Sequence, residues 1–307
     1  MELCNLSVVR GLLEKYGCAP KKGYGQNFLI NPMVPMRIAE LSASFADPAK
    51  PCGVLEIGPG VGALTQYLCQ HYEKVVAVEI DHGLIPLLAE SLAEYDNVTV
   101  VEADFMQIDL PAFLMEHFGD ILAQGGCIGV CANLPYYITT PVIMKLLESF
   151  PMNEPIPLTS ITVMVQLEVA RRLAANEKSA DYGSISASIA LRARTEKLLD
   201  VSAGNFLPVP KVASAVVGIV PHGGIREVYS DAPEDPAACE AFAKTAGDLI
   251  TLAFGQRRKT FVNAVSSRYP KEQSAAALAS CGIRADIRGE KLSVTDFCRL
   301  ADALNRN

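Results

Sequence analysis

Five short runs of apolar, largely β-branched residues recur at 52–57, 74–80, 98–103, 127–132 and 158–166, separated by stretches long enough for a helix. Four of these runs are nearly continuous in hydrophobicity, the pattern of strands covered on both faces. The intervening stretches 63–71, 82–94, 111–123 and 140–150 read as crossover helices, two of them opened by a Thr or Pro that suits a helix start. Strands and helices alternating in this way predict an α/β fold built on an open, doubly wound, mostly parallel sheet.

The pattern changes after residue 166. Residues 168–176 look helical, 184–194 are mixed and 212–220 form another β-rich run, followed by Pro221-His222-Gly223-Gly224 and a turn-rich acidic stretch at 231–236. Ala-rich amphipathic stretches at 239–253, 259–267, 271–279 and 294–304 then suggest a small all-helical domain. The expected division is a main domain over residues 1–225, with 1–50 as its N-terminal segment, and a helical domain over 237–307; a chain of 307 residues accommodates both.

Charge follows the same division. The net charge of −7 argues at first against a nucleic-acid partner. Residues 1–235, however, carry 16 Lys and Arg against 27 Asp and Glu, whereas residues 236–307 carry 11 against 7. The basic excess is therefore confined to the helical segment, where it can meet phosphate locally. No apolar run reaches 18 residues and the N-terminus has no basic stretch leading into an apolar one, so the expected location is the cytoplasm, without a membrane partner. Nine cysteines with no CxxC pair and four scattered histidines fit neither a zinc site nor a disulfide framework; reduced, buried thiols and no metal are expected.

The first run ends in Glu56-Ile57-Gly58-Pro59-Gly60-Val61-Gly62. Glycines at a strand-to-helix turn let the backbone approach a ligand closely. The second run leads to Glu79, an acidic residue placed to accept hydrogen bonds from a ribose diol, and the third to Asp104, at the strand edge where ligands of open α/β sheets sit. Two ligand classes are compatible with this arrangement, a dinucleotide and S-adenosylmethionine. The carboxylate of Glu56 beside the glycines sits awkwardly with a pyrophosphate and suits the cationic sulfonium and amino group of the methyl donor better.

The fourth run ends in Asn133-Leu134-Pro135-Tyr136-Tyr137. An Asn side-chain oxygen and a neighbouring carbonyl can accept from an exocyclic amine and so leave its nitrogen lone pair more available, while an aromatic ring at Tyr136 offers a stacking face for a purine. Asn133–Tyr136 matches the motif of amino-group methyltransferases. Three further segments narrow the resemblance: Lys21-Lys22-Gly23-Tyr24-Gly25-Gln26-Asn27-Phe28-Leu29, the segment from Asn205 and Phe206 through Pro208, Pro210 and Lys211 to Val216, and Phe254-Gly255-Gln256-Arg257-Arg258-Lys259-Thr260. Together with the glycine turn and the Asn-Leu-Pro-Tyr motif, these five segments resemble, in order, those of the small-subunit (16S) ribosomal RNA adenine dimethyltransferases.

The resemblance implies a Rossmann-like class I S-adenosylmethionine-dependent methyltransferase fold, a helical C-terminal domain that contacts rRNA, and dimethylation of two adjacent adenines near the 3′ end of 16S rRNA in the 30S subunit, with a part in subunit biogenesis. It places donor contacts on Asn27, Leu29, Gly58, Gly60, Glu79, Asp104 and Asn133. Asn133 and the Leu134 carbonyl, followed by Pro135, would receive the target amine, with Tyr136 and Phe206 sandwiching the flipped base. Rate enhancement would come from alignment and electrostatics, without a dedicated base. Lys21, Lys22, Lys211, Arg257, Arg258 and Lys259 would meet rRNA. Nothing calls for more than a monomer. Ala213 departs from the Asp usual in its segment, which puts a local polar contact in doubt. The rival readings are the 23S rRNA adenine methyltransferases of macrolide resistance, which share the fold; an assembly factor in which methylation is secondary; and a nicotinamide oxidoreductase.

Overall fold

The structure is a computed structural model that describes residues 1–19, 27–135, 137–153 and 155–306. Within these residues the strands in chain order are β1 (Phe28–Leu29), β2 (Cys52–Ile57), β3 (Lys74–Glu79), β4 (Val98–Glu102), β5 (Cys127–Asn133), β6 (Leu158–Gln166), β7 (Ala193–Val201), β8 (Phe206–Leu207) and β9 (Ser214–Pro221). Seven of them form one sheet in the order β4-β3-β2-β5-β6-β9-β7. β2 to β6 pair with one another in parallel, in registers such as Leu55↔Val76 and Leu55↔Val130. Strand β9 runs antiparallel to β6, pairing Val163 with Val217.

Burial explains why the central strands read as nearly continuous apolar runs. Every residue of β2 is buried and only the first of β3 is not, whereas β4, at the sheet edge, is half-exposed along its length. Strand boundaries expected at 52–57 and 158–166 match those observed, those at 74–80, 98–103 and 127–132 differ by a residue, and the run expected at 212–220 begins two residues later, at Ser214. The stretch 82–94 is shorter than expected as a helix: a single 3-10 turn at His82–Leu84 leads into Ile85–Ser91, where Pro86 falls in the first turn, a position that spares a hydrogen bond.

The chain divides into two compact units, and the division corrects the single cut expected between residues 225 and 237. The first comprises Met1–Ser149, Pro157–Ala170 and Glu196–Val220; the second gathers Phe150–Ile156 and Arg171–Thr195 with Pro221–Asn307. The reason is a shared apolar core. Met152, Tyr182, Ala187 and Leu191 are buried in one cluster with Phe242, Phe254, Phe261 and Phe297 of the C-terminal helices. Tyr182 meets Phe254 edge-on with centroids 5.3 Å apart, and its hydroxyl donates to the carbonyl of Leu292 at 3.1 Å. Helices Pro236–Gly255, Lys271–Ser280 and Val294–Asn305 lie near their expected bounds. The expected helix at 259–267 is a single turn, Phe261–Ala264, because Thr260 is extended and forms an antiparallel bridge with Arg288.

All nine cysteines are free; five are buried, as expected, and four, Cys18, Cys69, Cys127 and Cys281, are half-buried.

Candidate active site

Parallel strands deliver their C-terminal ends to one edge of the sheet, and the first unit has its pocket there. Gly58 and Gly60, just past β2, have φ of +72° and +62°, a left-handed conformation that side chains disfavour. A Cβ at Gly58 would meet nothing within 4 Å, so this peptide faces open cavity; at Gly60 it would lie 3.2 Å from the ring of Phe28. The Gly58 N–H donates to Val78 O at 2.9 Å, which ties the turn to the neighbouring strand.

Glu79 ends β3 and is buried against the same turn. Its carboxylate accepts from the Gly60 N–H at 3.2 Å and from the Asp81 N–H at 2.9 Å. Burial raises its pKa above the ordinary carboxylate value, and these two backbone donors work against the shift. Glu56, also buried and lining the pocket, is pushed up to about 8, chiefly by burial and further by the Glu79 charge. Its Oε2 has no hydrogen-bond partner. Asp104 follows β4 and caps the 3-10 turn Phe105–Gln107 by accepting from the Met106 N–H at 2.9 Å.

At the end of β5, the Asn133 amide nitrogen donates to the Asn27 carbonyl at 3.3 Å, which leaves the amide oxygen as its acceptor end. Leu134 N–H donates to Met164 O at 3.3 Å, and Pro135 O accepts from Ile138 N–H at 3.1 Å and from the Thr139 hydroxyl at 3.2 Å, so the helix Thr139–Glu148 starts directly from the motif. Opposite, the ladder of β1 with β8 pairs Phe28 with Leu207 and Leu29 with Phe206. It is reinforced by Ile30 N–H to Asn205 O at 2.9 Å and by the Asn31 amide to Asn205 Oδ1 at 2.8 Å. Two segments far apart in the chain thereby become one wall.

Of the residues expected at the site, Asn27, Leu29, Gly58, Gly60, Glu79, Asp104, Asn133, Leu134, Pro135 and Phe206 all line this one pocket. Tyr136, Lys21 and Lys22 lie outside the described residues. Lys211 is exposed on the segment that joins two pocket-lining residues, Phe206 and Ser214, and does not itself line the pocket. Arg257, Arg258 and Lys259 are exposed in the second unit, but Arg257 is also tied down there: its guanidinium donates to Tyr182 O at 3.3 Å and pairs with Glu290 at 3.4 Å. The pocket also takes in Ile80, Phe105, Val142 and Ser214, which sequence reasoning missed. Ile80 and Phe105 directly follow the two acidic residues, and that adjacency was the available signal. Ser214 falls inside the segment 205–216 singled out in the sequence, whereas Val142 carried no signal, since only the packing turns it inward.

A dinucleotide-binding sheet of the familiar order is parallel throughout. Here an antiparallel strand sits between β6 and β7, beside a glycine turn, two acidic strand ends and an Asn-Leu-Pro segment. Fold and pocket together define a class I S-adenosylmethionine-dependent methyltransferase. The solved structure of the 23S rRNA methyltransferase ErmE is similar over 91% of this chain and 99% of its own, with a TM-score of 0.65 and 25% identity. A dimethyladenosine transferase from Plasmodium falciparum matches 91% of this chain and 97% of its own with a TM-score of 0.68 at 23% identity, a likeness of fold.

The profile of the ribosomal RNA adenine dimethylase family matches residues 18–306, and the chain belongs to that family. It is therefore an rRNA adenine dimethyltransferase. Among curated relatives, the ribosomal RNA small subunit methyltransferase A of Anoxybacillus flavithermus is 39% identical over 298 residues, 95% of this chain and 93% of the relative. The protein of the same description from Lachnoclostridium phytofermentans is 40% identical over 299 residues, 96% and 94% of the two chains.

Proposed function

We propose that the pocket binds S-adenosylmethionine and presents its methyl group to an adenine N6 of 16S rRNA in the small ribosomal subunit. The observation that carries this reading is the convergence in one pocket of Glu79 and Asp104, suited to a ribose diol and a donor adenine, with the acceptor oxygen of Asn133 and the ring of Phe206. Glu79 holds the ribose hydroxyls and Asp104 the donor's adenine amine. Gly58 and Gly60 allow backbone approach, and Asn27 and Leu29 close the opposite wall. Glu56, buried beside the glycines, lines the same pocket as a neutral carboxyl.

When bound, the donor supplies an electrophilic methyl group. The chain's own residues do the rest: Asn133 Oδ1 and the Leu134 carbonyl accept from the target amine, Pro135 holds the turn, and Tyr136 and Phe206 flank the base. Once methylated, the nitrogen is cationic and strongly acidic, so water takes its proton and no side chain need act as base. Alignment and electrostatic preorganisation supply the acceleration. No metal takes part.

The small-subunit assignment rests on relatives at 39–40% identity that carry the small-subunit description, against 25% for the 23S enzyme. The second unit, with Arg257, Arg258 and Lys259, serves as the rRNA-contacting domain, and Lys21, Lys22 and Lys211 add contacts to the rRNA. The enzyme acts as a cytoplasmic monomer; none of its described helices is long and apolar enough to cross a membrane. The test is nucleoside mass spectrometry of unmethylated 30S particles and of 23S fragments, each incubated with protein and labelled donor. Dimethyladenosine in the 3′-terminal 16S fragment is expected; product only on 23S overturns the assignment.

A further inference from the structure

The helix Thr139–Glu148 carries Val142 into the pocket, and one turn further on it carries Lys145. The Lys145 side chain leaves its own helix for the turn after β4. Its Nζ donates to Met106 O at 2.9 Å and to Ile108 O at 2.6 Å, and lies 5.8 Å from the centroid of the Phe105 ring. An ammonium has three donors; two are spent on carbonyls and the charge rests over a ring face.

The turn needs this partner. Its internal hydrogen bonds, Gln107 N–H to Asp104 O and Ile108 N–H to Phe105 O, use the carbonyls of Asp104 and Phe105, while Met106 O and Ile108 O accept from Lys145. Met106 is held from both sides: its N–H by the Asp104 carboxylate, its carbonyl by Lys145. The neighbours Asp104 and Phe105 line the pocket. At the other end, the lysine's helix is anchored on Pro135, next to Asn133 and Leu134.

We infer that Lys145 is a positioning residue that holds the Asp104–Phe105 wall in register with the Asn133–Pro135 motif, and so sets adenine recognition by Asp104. The inference rests on the proposed donor site. It states that selectivity for the donor's 6-amino group depends on a side chain outside the pocket.

The test compares binding of S-adenosylhomocysteine and of its inosine counterpart, which carries a 6-keto group, by calorimetry. The unaltered chain should prefer the adenosine compound. In Lys145→Met the preference should shrink about tenfold, the loss expected when one charge-assisted hydrogen bond is no longer correctly aimed. Lys145→Arg should restore most of it, and thermal unfolding of the ligand-free chain should change little. Lys145→Gln, which keeps one donor, gives an independent reading with an intermediate ratio if the Met variant is unstable. A ratio unchanged in the Met and Gln variants overturns the role of Lys145 whatever happens to overall affinity, because a merely structural loss weakens both ligands alike. Failure of the unaltered chain to bind either compound overturns the donor site itself and the inference with it.

Discussion

Glu79→Gln is the substitution that most directly tests the donor site. Each Glu79 oxygen already accepts one backbone N–H, from Gly60 at 3.2 Å and from Asp81 at 2.9 Å. Each retains a second lone pair, so one ribose hydroxyl per oxygen can be held. In the glutamine variant one oxygen becomes an NH2, which faces a backbone N–H and cannot accept from a hydroxyl; the other bond persists without the charge. A hydrogen bond to a charged group contributes about 1.5–3 kcal/mol and a neutral one about 1, so the combined loss is roughly 2–5 kcal/mol. That corresponds to an affinity lower by about 30- to 4,000-fold. Titration calorimetry with S-adenosylhomocysteine measures it. Because burial raises the Glu79 pKa and the ionised form is the better acceptor, wild-type affinity should climb as pH rises through that raised pKa and then level off. The variant should show no such climb. A folded Glu79→Gln protein that binds within about threefold of wild type refutes the ribose assignment.

Three other outcomes follow from the geometry. Glu56 holds its proton up to about 8 in the folded chain, whereas the unfolded chain releases it near 4.5, so the stability tied to that proton is full below 4.5 and lost as pH rises to about 8. The slope is at most roughly 1.4 kcal/mol per pH unit; Glu56→Gln should flatten it in urea titrations from pH 5 to 8, and parallel declines would count against it. The double variant Arg258→Ala, Lys259→Ala should weaken 30S binding, reduce the slope of log affinity against log salt by about 1.5 and leave donor affinity intact; an unchanged slope would remove both residues from the phosphate contact. Arg257 is left in place there because its bonds to Tyr182 and Glu290 would mix folding with binding. Phe206→Leu keeps apolar volume against Leu29 but removes the ring face, and should lower kcat/KM on 30S particles about 5- to 150-fold, the equivalent of about 1–3 kcal/mol of stacking, with donor affinity nearly constant. Wild-type kcat/KM would exclude stacking on Phe206.

The parallel half of the sheet was legible because strands buried on both faces must be largely apolar, and β2, β3 and β5 are, apart from Glu56 in β2, Lys74 and Glu79 at the two ends of β3 and Asn133 at the end of β5. The acidic strand ends were legible for a related reason: a carboxylate directly after such a run stands out. Less visible were the partners that tertiary structure chooses. The ladder of β1 with β8 is two residues long on each side, too short for any periodicity, and its pairing is decided by where Asn205 and Ile30 meet. Strand β7, half-exposed and interrupted by Glu196, Lys197 and Asp200, does not alternate cleanly. The second unit was misdrawn because Tyr182 and Met152 look unremarkable in sequence, although they are buried among the C-terminal phenylalanines. Lys145 likewise reads as one more helix-surface lysine until its two carbonyl partners are seen.

The reversed strand β9 has a consequence for how such an enzyme can diversify. In a parallel sheet only the loops that leave strands reach the ligand edge, and each is bound to a crossover helix whose length must be kept. Because β9 runs the other way, the loop that enters it, residues 208–213, reaches that edge as well, ending at Ser214 in the pocket. It has no crossover to preserve. A chain of this topology can lengthen or recolour that loop to suit a new acceptor while the outgoing loops, and the donor they hold, stay as they are.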